Sequence, residues 1–92
     1  MAMGETAENR LKRLKMRSWR RGTKEMDLIL GPYADAHLAE MPDPMLNAYE
    51  ALLDENDQDL LPWVLGQQAA PAPHAALIAL IGTFARARFS AE

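Results

Sequence analysis

The sequence predicts an all-α fold, a single small domain of five short helices packed as a bundle. Three observations carry that prediction. Apolar residues recur at three- and four-residue steps almost throughout. β-branched residues are few, and apolar and polar residues nowhere alternate for long. The breaks between periodic stretches are short, so consecutive helices are expected to pack as antiparallel neighbours. At 92 residues the chain makes one domain. Residues 7–89 are assigned to it, with 1–6 as a disordered N-terminus and 90–92 as a C-terminal tail.

The first helix is expected over Ala7 to Trp19, with Leu11, Leu14 and Trp19 facing inward and a Lys/Arg-rich outer side. Gly22 ends it, because glycine takes the left-handed conformation that terminates helices. The second helix runs from Thr23 or Lys24 to Ala39. Met26, Ile29, Leu30, Tyr33, His37, Leu38 and Met41 form its apolar side. Thr23 is a candidate N-cap, and Glu25 falls in the first turn, where negative charge is favoured. Gly31-Pro32 is expected to kink this helix or split it, because Pro32 removes a backbone donor and crowds the Leu28 carbonyl. The third helix starts at Asp43-Pro44 and buries Leu46, Tyr49, Leu52 and Leu53. Asp57 is the expected cap of the fourth, which turns Leu60, Leu61, Trp63 and Val64 inward and stops at Gly66. After the linker QQAAPAP, the fifth starts near Pro73, uses Leu77, Ile78, Ile81, Phe84 and Ala85, and frays after Phe89.

Composition narrows the function. A chain this short buries only about 60–65% of its unfolded surface, so carving out a ligand cavity would remove much of its core. That favours a binding module over an enzyme. Cysteine is absent, which excludes disulfides, thiol catalysis and thiolate metal sites. No apolar run approaches the roughly 20 residues a bilayer requires. MAMGETAENR has no apolar signal core, so the expected location is the cytoplasm. The net charge of −3 conceals an asymmetry. Residues 1–25 carry eight Lys/Arg against three Glu, a balance of +5, and residues 26–92 carry two Arg against ten Asp/Glu, a balance of −8. A basic end of this kind is expected to meet something acidic.

Most chemical constellations fail on spacing. His37 and His74 lack a second ligand at metal spacing. His37 reads as a structural histidine beside the apolar face, and His74 as a solvent-exposed residue at a helix start. Ser18 and Ser90 have no adjacent base, and no glycine-rich phosphate loop is present. DENDQD, residues 54–59, lacks the central glycine of a calcium loop and reads as solvated, helix-capping carboxylates. RLKRLKMRSWRR is dense in positive charge, and Trp19 is able to stack on a base, so a small RNA-binding or ribosome-associated domain is the alternative reading. The acidic remainder of the chain opposes it.

RRGTKEMD, which begins at Arg20, fits neither a plain helix nor a nucleic-acid patch. Arginine makes two-pronged hydrogen bonds to carboxylates, Gly22 lets another backbone approach closely, and Glu25 adds an acceptor. The same residues serve equally as a glycine turn with charges placed for helix ends. Arg21-Gly22-x-x-Glu25 resembles the RGxxE motif of the SdhE family of FAD assembly factors, bacterial relatives of succinate dehydrogenase assembly factor 2. Met26-Asp27, Pro32-Tyr33 and the acidic turn of LLDENDQDLLPWV leading to Trp63 extend the resemblance from about Arg10 to Arg86. Leu30-Gly31 stands where the family usually has a bulkier run.

The resemblance implies a five-helix fold and an assembly factor without an active site of its own. It implies binding to the flavoprotein subunit of succinate dehydrogenase and, in some bacteria, of fumarate reductase. There it would promote covalent attachment of FAD to a histidine of that partner. It places the contact at Arg20, Arg21, Gly22, Lys24, Glu25 and Asp27, with Asp57, Asp59 and Trp63 as a second contact or as support. No catalytic residue, metal or stably bound cofactor is expected, since FAD belongs to the partner. Neither nucleic acid nor membrane insertion is expected, and the chain is read as a monomer.

Overall fold

The computed structural model describes residues 5–90. The expectations for residues 1–4 and 91–92 fall outside the described residues. The chain forms α1 (Ala7–Trp19), α2 (Lys24–His37), α3 (Asp43–Leu53), α4 (Asp57–Val64) and α5 (Ala72–Ser90), with a 3₁₀ turn at Leu38–Glu40. These are the five helices expected, and no strand occurs among the described residues.

The helix ends have local causes. Thr6 Oγ1 accepts the Asn9 amide at 3.0 Å, which satisfies one donor at the start of α1. Thr23 caps α2 in the same way through Met26, with Glu25 and Asp27 in the first turn. The residue before α4 is Asn56, whose side chain makes no capping bond. Asp57, expected as the cap, lies one step inside the helix with its carboxylate turned toward Arg21. Gly22 (φ 108°) and Gly66 (φ 79°) are the positive-φ residues, one beyond α1 and one beyond α4.

The break expected at Gly31-Pro32 does not form, because α2 is one uninterrupted helix across both residues. Proline removes a single N–H, the one that would reach Leu28. Met26, Ile29, Leu30, Tyr33 and Ala34 stay buried along one side, and this packing carries the helix past the gap. The helix gives way to the 3₁₀ turn at Leu38 rather than running to Ala39.

The core is continuous. Leu14, Met26, Leu30, Leu38, Tyr49, Leu52, Leu60 and Ile81 are fully buried. Burying each such aliphatic side chain stabilises the fold by about 1.5–3 kcal/mol. α1 packs on α2 and α3, and α5 closes the other side against α2, α3 and α4. α1 and α3 are not antiparallel. Arg10 meets Asn47 and Glu50, Arg13 meets Glu50, and Arg17 meets Asp54, so the two helices run in the same sense, which the intervening α2 permits. Tyr49 crosses this seam, its hydroxyl 2.6 Å from Ser18 Oγ, which in turn donates to the Leu14 carbonyl.

Candidate functional site

The site is built around the turn between α1 and α2. Arg20 ends α1 in a non-helical conformation (φ −129°, ψ 58°), and the chain reverses through Arg21 and Gly22 into the Thr23 cap. Arg21 points back into the molecule. Its Nε donates to Asp57 Oδ1 at 2.9 Å, and its terminal nitrogens donate to the carbonyls of Leu53 and Glu55. Its backbone N–H donates to Asp27 Oδ1 at 2.6 Å.

One guanidinium thus satisfies the last carbonyl of α3 and one in the α3–α4 connection, and pairs with a carboxylate at the start of α4. Meanwhile Asp27 holds the Arg21 backbone against the first turn of α2. Only 10% of the Arg21 side chain and 14% of the Asp57 side chain are open to solvent. Thr23 Oγ1 adds a bond to Asp57 Oδ2 at 3.3 Å.

What this clamp leaves outside is Arg20, Gly22, Lys24 and Glu25, all exposed. Nothing lies within 4 Å of the place a Cβ would occupy on Gly22, so the approach to its backbone is open. The motif divides in two: Arg21 and Asp27 face inward and shape the turn, whereas Gly22 and Glu25 face outward, flanked by Arg20 and Lys24.

A family model for Sdh5, described as flavinator of succinate dehydrogenase, matches residues 12–87. The chain belongs to this family. It is 42% identical over 67 residues to the mitochondrial succinate dehydrogenase assembly factor 2 of Schizosaccharomyces pombe, covering 73% of this chain and 48% of that one. It is 43% identical over 60 residues to the protein of that name from Meyerozyma guilliermondii (65% and 44%), and 37% identical over 68 residues to that from Mycosarcoma maydis (74% and 29%). The chain therefore spans less than half the length of these curated relatives. No solved structure matches it.

In this Sdh5-family chain most of the acidic segment is solvent-exposed, as expected, but three of its carboxylates also have side-chain partners. Asp54 pairs with Arg17, Glu55 with His74, and Asp57 with Arg21. Asp59 is exposed, and Trp63 is half-buried. His74, expected in solvent, is buried instead (8% exposed), with Nε2 3.0 Å from Glu55 and the ring stacked on Trp63 at 6.0 Å. The proline-rich linker turns the first turn of α5 inward against α4, which a local reading of the linker does not reveal. His37 rests on Tyr33 and Phe84. No group of three or more His, Cys, Asp or Glu among the described residues is arranged to hold a metal ion. No helix there is long and apolar enough to cross a membrane.

The basic face of α1 is met from within. Arg10 and Arg13 bond Glu50 of α3 at 3.1 and 2.8 Å, Arg13 also holds Glu5 at 2.7 Å, and Arg17 bonds Asp54 at 2.9 Å. The acidic counterpart predicted by the charge asymmetry is thus largely the chain's own α3. This removes most of the face on which the RNA reading depended. A groove of about 630 Å³ lies beside this seam, and its guanidinium groups, Arg10 and Arg13, are already paired.

The hydrogen bond from Arg13 is the main cause that holds the Glu50 carboxyl below its ordinary value of 4.5, against burial acting the other way. A carboxylate depressed in the folded state stabilises the fold above its unfolded pKa and loses that contribution as the pH falls through the folded value. The seam therefore weakens once the pH drops below about 4.5. Glu50→Gln is expected to flatten the acid limb of a Tm-versus-pH profile between about pH 5 and pH 3. An acid limb of unchanged slope would show that this carboxylate contributes no pH-dependent stability.

Proposed function

We propose that this chain docks on the apo-flavoprotein subunit of succinate dehydrogenase through the Gly22–Glu25 turn and promotes covalent attachment of FAD to a histidine of that subunit. The reading includes the corresponding subunit of fumarate reductase, a cytoplasmic place of action and a monomeric chain. The carrying observation is the outward half of the RGxxE motif, held open by the buried Arg21 clamp in a chain of the flavinator family. The relatives' names, which are those of mitochondrial succinate dehydrogenase assembly factors, support the choice of partner.

Nucleophile and flavin both belong to the partner in this reading, and no side chain of this protein does chemistry. The two histidines, the obvious candidates, are engaged in packing, His74 with Glu55 and Trp63, and His37 with Tyr33 and Phe84. The contribution is positional. Docking that fixes the partner's histidine against the flavin converts binding energy into alignment, which lowers a barrier by several kcal/mol, on the order of 7–11 at most.

The direct test is in-gel flavin fluorescence of the flavoprotein subunit, matured with FAD and a dicarboxylate in the presence and absence of this chain. Covalent flavin is expected to rise strongly in the lane that contains it. Equal labelling in the two lanes would remove the reading.

A further inference from the structure

The exposed large apolar side chains among the described residues are Met16, Trp19, Leu28, Leu65 and Leu80. Met16 and Trp19 precede the Gly22–Glu25 turn on α1, and Leu28 follows it on α2. Met16 and Trp19 are three residues apart on α1 and share a face. On α2, Lys24, Glu25, Leu28 and Asp35 fall at helical spacing on one exposed stripe, which at 1.5 Å per residue is about 16 Å long. Trp19 lies at the far end of that stripe. Its indole covers Gly31, where a Cβ would overlap the ring, and its Nε1 donates to Asp35 Oδ2 at 3.2 Å. The ring is fixed from below and from its edge, yet 40% of the residue remains open to solvent.

From this placement we propose that the docking face runs from the Gly22–Glu25 turn along α2 to Trp19, and that the indole is its apolar anchor on the immature flavoprotein subunit. The inference rests on the docking role proposed above. Tryptophan is the residue type most enriched among interface hot spots, and an anchor already held in place loses little freedom on binding. The rim carries both signs, with Arg20 and Lys24 at one end and Glu25 and Asp35 along the stripe. The matching surface on the flavoprotein is an apolar recess bordered by a carboxylate facing Arg20 and Lys24 and by a basic side chain facing the Glu25–Asp35 edge. Gly31 belongs to the same device, since it leaves room for the indole to lie flat on the helix.

The test titrates the purified apo-flavoprotein subunit with this chain by calorimetry and follows each variant's Tm in parallel. Trp19→Ala is expected to weaken docking roughly tenfold or more. Trp19→Phe is expected to keep part of the affinity. Gly31→Ala gains helix propensity but overpacks the seat of the indole, so its Tm is expected to stay near or fall modestly below wild type with the fold retained. It pushes the indole off its seat, and docking weakens several-fold. Should Trp19→Ala fail to fold, Gly31→Ala decides the matter alone. Wild-type affinity in folded Trp19→Ala and Gly31→Ala overturns the anchor. If Glu25→Ala still weakens docking in that case, the turn remains the contact and only the extension is lost. Absence of binding by the unaltered chain removes both.

Discussion

Arg21→Ala is expected to destabilise the fold by about 3–5 kcal/mol, the cost of breaking a buried ion pair from one side. The side chain bonds Asp57 and the carbonyls of Leu53 and Glu55 while only 10% exposed. Its removal leaves a nearly buried carboxylate, one helix-end carbonyl and one loop carbonyl without that donor. At 4–8 °C per kcal/mol for a domain of this size, even the lower bound lowers Tm by roughly 12–24 °C. Arg21→Lys recovers little, because an ammonium presents one compact charge where three acceptors need a planar fork. A thermal melt monitored by circular dichroism settles it, and a midpoint within a few degrees of wild type would show that the clamp is not structural. Loss of flavin attachment in an Arg21 variant is then a consequence of unfolding and carries no information about partner contact.

Glu25→Ala gives the opposite pattern. The residue is exposed and has no ion pair among the described residues, so its replacement changes stability by no more than about 0.5 kcal/mol. If it is a centre of the docking face, truncation costs 2 kcal/mol or more, roughly thirtyfold in affinity. Covalent flavin in the partner falls with it at limiting concentrations of this chain. Normal docking by a folded Glu25→Ala would remove Glu25 from the contact. Gly22→Arg is a less clean probe. The space is open, but φ is 108°, so any side chain there is strained by about 1–3 kcal/mol. It is expected to lower both Tm and docking, and only Glu25 separates the two.

The helices themselves were legible because their causes are local. Thr23, Pro44, Gly22 and Gly66 announce ends, and the three-to-four spacing of Leu46, Tyr49, Leu52 and Leu53 announces a buried face. Glycine and proline side by side are also a local signal, and at residues 31–32 that signal misled. The glycine reports a close approach by Trp19, and the burial of Leu30, Tyr33 and Ala34 outweighs one missing hydrogen bond. A small residue inside an otherwise continuous apolar pattern was the available clue to that contact.

Sequence alone determined the class, the elements and the RGxxE turn, since propensity, capping and periodicity act within a few residues of one another. Only the tertiary structure decided which way that turn's side chains point. The Arg21 side chain finds its acceptors 32 to 36 residues away and His74 finds Glu55 19 residues away, while Arg10, Arg13 and Arg17 reach Glu50 and Asp54 37 to 40 residues away. A charge is drawn to the acceptor that is near in space and shielded from water, and separation along the chain does not encode that distance.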